Sequence, residues 1–281
     1  MVLAAGLGTR LRPLTDRCAK PLVPVGDRPA LAHVLDRLRA AGARRLVVNA
    51  HHRAGDVRAF AGGQPDLAVS EERDLLGTAG GIEHAGPLLG PGDVLVWNGD
   101  ILADVDLRGL LAAHDAARAA ATLVVQPLEA GQGPVGLDAG ARVVRLRDRR
   151  FGPEARGGQF LGVHVLSAEL RARLPRAGGL IEDVLVPALA RGAVVRAFAF
   201  EGPWHDIGTV ASYLAANRAW LEARRLESWV GPAARVAAGV RLERSVVGAG
   251  ARVEGEGALS GAVVWPEAHA VAPLADTVVT T

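Results

Sequence analysis

One cysteine, Cys18, stands in a chain of 281 residues. That count excludes an internal disulfide framework and any cysteine-based zinc cluster. Aromatic residues make up only 4% of the chain, and no block of lysine and arginine occurs. The stacking residues and basic stripe of a nucleic-acid binder are therefore missing. No apolar run approaches the roughly 20 residues that cross a bilayer. The apolar part of the N-terminal MVLAAGLGTR is short and no basic segment leads it, unlike a secretory signal. The expectation is a soluble cytoplasmic protein with no membrane or nucleic-acid partner. Lysine is scarcest of all: of 32 lysine and arginine residues, Lys20 alone is lysine. Net charge is +2, and the pI near 9.3 magnifies that small excess. A compact ammonium and a planar guanidinium are not equivalent where a point charge must reach a phosphate, so Lys20 is singled out.

What is present is a chain 49% apolar, enough for one large domain or a medium domain plus a small one. Val2 to Ala5 is a short apolar run ended by Gly6, the pattern of a buried strand. Leu31, Val34, Leu35 and Leu38 repeat at helical spacing, with Gly42 as the stop. RLVVNA (45–50), residues 67–70, DVLVW (93–97), 122–126, 142–146, 159–165 and 194–200 read as strands. Residues 107–119, capped by Asp106, 182–191, with Pro187 inside, and 211–226 read as helices. Strands alternating with helices predict an α/β layered domain with a mostly parallel sheet over 1–226.

After residue 227 the helical period vanishes. ERSVV (243–247), SGAVV (260–264) and ADTVV (275–279) repeat at spacings of 17 and 15. Apolar residues recur every six positions from Val247 through Val253, Leu259 and Trp265 to Val271, and Val230 and Val236 stand six apart before them. Hexapeptide spacing with glycine and alanine at the turns predicts a short left-handed parallel β-helix over 227–281. Three coils are near the minimum for such a stack, so its end should pack on a neighbour or on the first domain.

Four segments could carry chemistry. Gly6-Leu-Gly-Thr-Arg-Leu-Arg-Pro-Leu-Thr15 follows the first strand, and its glycines let a backbone approach a phosphate. Thr9 adds a hydroxyl, and Arg10 and Arg12 add charge; a plain tight turn is the competing reading. Leu11 stands where a dinucleotide fingerprint needs glycine, and the Gly-Lys-Ser/Thr of a P-loop is absent. Asn98-Gly99-Asp100 ends the strand DVLVW, where open α/β sheets bind ligands. A carboxylate there can hold a divalent cation, or simply serve an Asn-Gly turn. Asp206, in Trp204-His-Asp-Ile-Gly-Thr209, lies between apolar residues; a half-buried carboxylate needs a partner, which Asp100 with a metal would supply. Glu72 to Gly81, ERDLLGTAGG, reads as a loop in which Gly77 to Gly81 let a flat base approach the backbone. His33, His84 and His114 read as surface residues, His205 as a neighbour of the Asp206 site, and Cys18 as a small filler.

The run LAAGLGTRLRPLT…KPLVPV, followed in order by LGTAGG, WNGD and WHDIGT, resembles the signature of the sugar-1-phosphate nucleotidylyltransferases. The resemblance covers residues 1 to about 226, and a β-helix tail occurs in part of that family. It implies a Rossmann-like nucleotidyltransferase fold. It also implies that Leu3, Ala4, Ala5, Gly6 and Gly8 line the nucleotide, with Gly8, Thr9 and Arg10 on the triphosphate. Lys20 would sit on the phosphates at the reacting centre, and Gly77, Thr78 and Ala79 would meet base and ribose. Asp100 and Asp206 would ligate Mg²⁺. Asn98, Gly136 and Glu182 would serve the sugar phosphate, and Arg10, Lys20 and Asp100 the chemistry. One departure stands out: many members carry a Glu-Lys-Pro element where this chain reads Leu146-Arg-Asp-Arg-Arg-Phe151, leaving Arg147, Arg149 or Arg150 as substitutes.

The implied reaction joins a nucleoside triphosphate to a sugar 1-phosphate with release of pyrophosphate. The LGTAGG form and the single tail are most similar to mannose-1-phosphate guanylyltransferases, so GTP and mannose 1-phosphate are the expected substrates. Uridylyl or thymidylyl transfer to glucose or a muramate-type sugar 1-phosphate is the alternative. A non-catalytic nucleotide-sugar-binding paralogue is a second one, and the presence of all four charged positions, Arg10, Lys20, Asp100 and Asp206, counts against it. Acyl transfer by the tail is a third; His269 is the only histidine there. Self-association through the tail is a further expectation.

Overall fold

The computed structural model describes all 281 residues. By internal contacts the chain forms two compact units, Met1–Gly6 with Val34–Trp204, and Leu7–His33 with His205–Thr281.

The first unit is built on a mixed sheet. Val2–Leu3 pairs in parallel with Leu46–Ala50 on one side and Val94–Asn98 on the other, and Leu46–Ala50 pairs in parallel with Leu67–Glu71. Leu46–Ala50 is buried at every position, as an inner parallel strand must be when both faces are covered. Arg156–Leu166 then runs antiparallel to Val94–Asn98, Ala121–Leu128 and Val135–Leu137, and Val195–Ala199 returns parallel to Ala121–Leu128. The predicted strands lie where the alternation of apolar runs placed them. The core gathers Val47, Val96, Leu123, Val135, Leu146 and Leu185, among others, all under 2% exposed.

Helices follow local chemistry. Ala30–Ala40 buries Leu31, Val34, Leu35 and Leu38, the predicted stripe. Leu107–Ala117 starts at Asp106, whose carboxylate accepts the Gly109 N–H at 3.0 Å. The predicted helix over 182–191 is instead a π-helical turn, Ile181–Leu185, leading into Val186–Ala190. Pro187 has no N–H to donate four residues back, which explains the widened turn before it. The loop expected at 77–81 is the start of a helix, Gly77–His84. His114, expected at the surface, is 2% exposed and hydrogen-bonds Thr122 Oγ1 at 2.8 Å. No helix is long and apolar enough to cross a membrane.

In the second unit the tail forms two ladders of parallel strands. Trp229–Val230, Val246–Val247, Val263–Val264 and Val278–Val279 make one. Arg235–Val236, Val240–Glu243, Arg252–Ser260 and His269–Ala275 make the other. The Val-Val repeats thus stack in register. The third repeat is two residues shorter, and a register shift between Gly255 and Leu259 absorbs the difference, so that Leu259 opposes Leu274. The six-residue series fails at its end: Val271 is 57% exposed and Ala270, at 2%, takes the buried place.

The repeat pattern places a boundary at 226, but the contact grouping joins Val210–Ala223 to the tail and to Leu7–His33. Thr209 and Ser212 cap that helix reciprocally. Its Tyr213 hydroxyl donates to Pro24 O at 2.5 Å and accepts from Trp265 Nε1 at 3.0 Å. Asn217 accepts from Gly26 N at 2.9 Å. Gly26 lies at φ +62° against the Trp220 ring, where a side chain has no room.

Ser245, fully buried, donates to Leu259 O at 2.7 Å and accepts from Ala262 N at 3.1 Å, linking successive rungs of the tail. Ser245→Ala leaves that N–H without an acceptor and is expected to lower stability by about 1–3 kcal/mol, read as a fall in Tm by circular dichroism.

Candidate active site

Parallel pairing brings three strand exits to one edge of the first unit. Leu3 lies opposite Asn98, and Gly99 N donates to Leu3 O at 2.8 Å, so the Ala4–Gly6 segment leaves beside Asn98-Gly99-Asp100. The buried Trp97 donates its indole N–H to Ile101 O at 2.8 Å and closes the turn that carries Asp100. Gly162, at φ +77°, leaves room for the Asn98 amide. Carboxyl ends of parallel strands are where sheets of this kind take ligands.

The third exit, at Asn49-Ala50, ties in the LGTAGG element. Ala4 N donates to Asn49 Oδ1 at 2.6 Å, and Asn49 Nδ2 donates to Glu72 Oε1 at 2.6 Å. Glu72 Oε2 accepts Leu76 N at 3.1 Å, one residue before Gly77. Ala79 N donates to Gly178 O at 3.0 Å and Gly178 N to Leu76 O at 2.8 Å, which clamps the helix start to a second loop. A side chain on Gly80 would come within 2.6 Å of Arg176 O, and one on Gly81 within 2.6 Å of Glu72 Oε1. Close packing therefore accounts for these two glycines. Sequence gives Asn49 no role and Glu72 only a place at the start of the LGTAGG segment; the one further signal is a polar side chain inside the otherwise apolar run LVVNA.

Gly136 and Glu182 lie at a different part of the same unit. Gly136 opposes Arg145 across two antiparallel strands, and a side chain on it would strike Glu154 at 2.6 Å. Arg145 and Glu154 form a two-pronged pair at 2.7 and 2.9 Å, with side chains 8% and 5% exposed. Arg145 also donates to Gly133 O at 3.0 Å and Arg147 O at 3.2 Å. Glu182 meets Arg147 at 3.2 Å, but both side chains are at least half exposed, so this pair adds little stability.

The remaining expected residues belong to the second unit. Gly8, at φ +64°, begins the single turn Thr9–Leu11. A side chain there would sit 2.7 Å from Thr15 Cγ2 and 3.3 Å from Lys20 Cβ, so Gly8 and Lys20 are neighbours. The Thr15 hydroxyl donates to Gly8 O at 2.9 Å and holds the turn. Arg10 and Asp206 meet at Gly208, where a Cβ would lie 3.4 Å from Arg10 Nη2 and 3.0 Å from Asp206 Oδ1. His205 is half buried, and that burial holds its pKa below the usual value against the opposing Glu222 charge.

Comparison with known proteins places these segments in context. A family model described as Nucleotidyl transferase matches residues 1–223. The chain is 36% identical to an N-acetylmuramate alpha-1-phosphate uridylyltransferase of Caulobacter vibrioides, over 79% of this chain and 97% of that protein. It is 31% identical to a mannose-1-phosphate guanylyltransferase of Mycobacterium tuberculosis, over 94% of this chain and 79% of the relative. Among solved structures, HddC from Yersinia pseudotuberculosis complexed with GMP-PN is similar in fold, with a TM-score of 0.66 at 22% identity over 78% of this chain and 97% of its own.

The Arg145 fork, aided by the Gly131 N–H, pulls the Glu154 carboxyl down to about 2 against its burial. A depressed carboxylate stabilises the fold above its unfolded pKa, and that contribution is lost as pH falls from about 4.5 towards 2. Glu154→Gln is expected to lower Tm at neutral pH and to flatten the wild-type decline across that acid window. Melting curves from pH 2 to 6 check it, and parallel curves would contradict it.

Proposed function

The chain belongs to the nucleotidyl transferase family and is a sugar-1-phosphate nucleotidyltransferase, and we propose that it makes GDP-mannose from GTP and mannose 1-phosphate. The observation that carries the placement of the chemistry is the register of Leu3 with Asn98, which sets the Ala4–Gly6 segment beside Asp100. The choice of substrates rests on the LGTAGG form and on similarity to the Mycobacterium tuberculosis guanylyltransferase along 94% of the chain, tail included. We read the two parallel ladders of the tail as a left-handed β-helix.

In this reading Leu3, Ala4, Ala5, Gly6, Gly8, Thr9, Gly77, Thr78 and Ala79 bind the nucleotide. Asn98, Gly136 and Glu182 bind the sugar phosphate. A phosphate oxygen of the sugar 1-phosphate attacks the α-phosphorus of the triphosphate. The new P–O bond forms as the bond to the β-phosphate oxygen breaks, and pyrophosphate leaves with that electron pair. The nucleophile is already an anion, so no side chain has to remove a proton. The protein's task is to bring two polyanions together: each unit pair of like charges 4 Å apart costs about 4 kcal/mol at an effective dielectric of 20. Arg10 and Lys20 offset this and hold charge that develops on the five-coordinate phosphorus. Asp100 and Asp206 are hard oxygen donors of the kind Mg²⁺ takes, so their chemistry fits a magnesium ion that they would hold in this reading. Bound there, the ion would neutralise phosphate charge and polarise the α-phosphoryl group.

A second reading, uridylyl transfer to an N-acetylmuramate 1-phosphate, has its own support. The 36% identity to the Caulobacter vibrioides uridylyltransferase extends over 97% of that protein. The exposed Arg147, Arg149 and Arg150 also offer guanidinium groups to a sugar that carries an extra carboxylate. Exposed Val230 and Val271 support self-association through the tail, which light scattering measures.

Pyrophosphate release with four triphosphates, each against mannose, glucose, N-acetylglucosamine and N-acetylmuramate 1-phosphates, tests the substrate choice. GTP with mannose 1-phosphate is expected to turn over fastest, and a poor rank for that pair would reject it. Asp100→Asn is expected to lower turnover about a hundredfold or more with Tm unchanged.

A further inference from the structure

The side chains that join the first strand exit to the LGTAGG helix set the spacing between the two segments. The backbone fixes their polarity. Ala4 offers an N–H, so Asn49 must present its oxygen to it, at 2.6 Å. That orientation turns the Asn49 amide nitrogen towards Glu72 Oε1, also at 2.6 Å. Leu76 offers a second backbone N–H to Glu72 Oε2 at 3.1 Å. Glu72 therefore receives a donor at each oxygen, which a carboxylate satisfies and an amide cannot. The two side chains are 3% and 5% exposed, so no solvent stands ready to replace a lost partner. The absent side chain of Gly81 lets the helix lie directly on the pair, since a Cβ there would come 2.6 Å from Glu72 Oε1 and 2.8 Å from Asn49 Nδ2. His51 Nδ1 lies 3.0 Å from Glu72 O and holds the backbone of the acid in place.

We infer that Asn49 and Glu72 are positioning residues for nucleotide binding, a polarised hydrogen-bond wire that presets the distance between Ala4–Gly6 and Gly77–Ala79. The inference rests on the reading above, in which both segments meet the nucleotide. A ligand held at both ends gains affinity when its two contacts are set in advance, because it does not have to order them on binding. The sugar 1-phosphate uses other residues in that reading, so the wire acts on one substrate and leaves the other untouched. This separates positioning from general support of the fold, which would reduce the active fraction for both substrates alike.

The direction of the wire allows a reversal test. Glu72→Gln puts an N–H against a donor at one end or the other. Asn49→Asp sets two carboxylates face to face. Combined, the two changes restore the pattern: the acid at 49 accepts from Ala4 and from the new amide at 72, whose oxygen accepts from Leu76. Each single variant is expected to raise the Kd of the preferred triphosphate, measured by titration calorimetry, about tenfold or more. The KM for the sugar 1-phosphate is expected to stay within about threefold of wild type, and the double variant to return the triphosphate Kd to within about threefold. Wild-type nucleotide affinity in both single variants would overturn the inference. So would equal losses for both substrates, or a double variant no better folded and no tighter than the worse single one. Wild-type protein that turns over no triphosphate with any sugar 1-phosphate would instead defeat the functional reading itself.

Discussion

Parallel pairing of Val2–Leu3 with two neighbours at once is the constraint from which the first unit's chemistry follows. A two-residue strand held between Leu46–Ala50 and Val94–Asn98 has no freedom of register. Its chain must emerge at the same edge as theirs, among backbone N–H groups that the ladder no longer satisfies. Buried amides need partners. The Ala4 N–H finds one in Asn49, and Asn49 in turn needs the acceptor that Glu72 supplies. The edge at which the glycine-rich segment emerges is thus the same edge that requires a buried polar network beneath it.

The glycines around this edge divide by what they meet. Gly80 and Gly81 are pressed against Arg176 O and the Asn49–Glu72 pair, and Gly162 against the Asn98 amide. They allow close approach of one part of the protein to another. In the second unit Gly208 is packed against charged groups instead, with a Cβ there only 3.0 Å from Asp206 Oδ1 and 3.4 Å from Arg10 Nη2. Charges divide in a similar way. The exposed Arg147–Glu182 pair is weakly coupled, whereas the Arg145–Glu154 fork is buried, hydrogen-bonded on most of its polar atoms and strong enough to hold a carboxyl near 2. The fork shapes the strand that carries Gly136. It is structural, whereas the proposed reaction assigns Arg10 and Lys20 to the phosphates.

In the second unit the repeat packs with a helix that precedes it in the chain. The Val-Val rungs stack on one another, but their ends need apolar cover. Within the unit Val210–Ala223 is tied to the tail by the Trp265–Tyr213 hydrogen bond and to Leu7–His33 by the bond from Tyr213 to Pro24 O. Loss of the helical period at 227 marks a change of secondary structure, not a break in packing.

Sequence by itself determined the alternation of strands and helices, the buried stripe of Ala30–Ala40, the Asp106 cap, the stacked Val-Val repeats and the family. Each of these depends on residues close together along the chain, or on short runs whose spacing is their signal. Tertiary structure alone decided that Gly77–Gly81 opens a helix, that residues 181–185 widen into a π turn, and that Ala270, not Val271, faces inward. It alone brought Asn49 to Glu72 and Arg145 to Glu154. A lone asparagine in LVVNA and a glutamate in a charged run carry no mark of pairing. Their roles arise only when a parallel sheet carries distant segments to one edge and removes the water that would otherwise satisfy them.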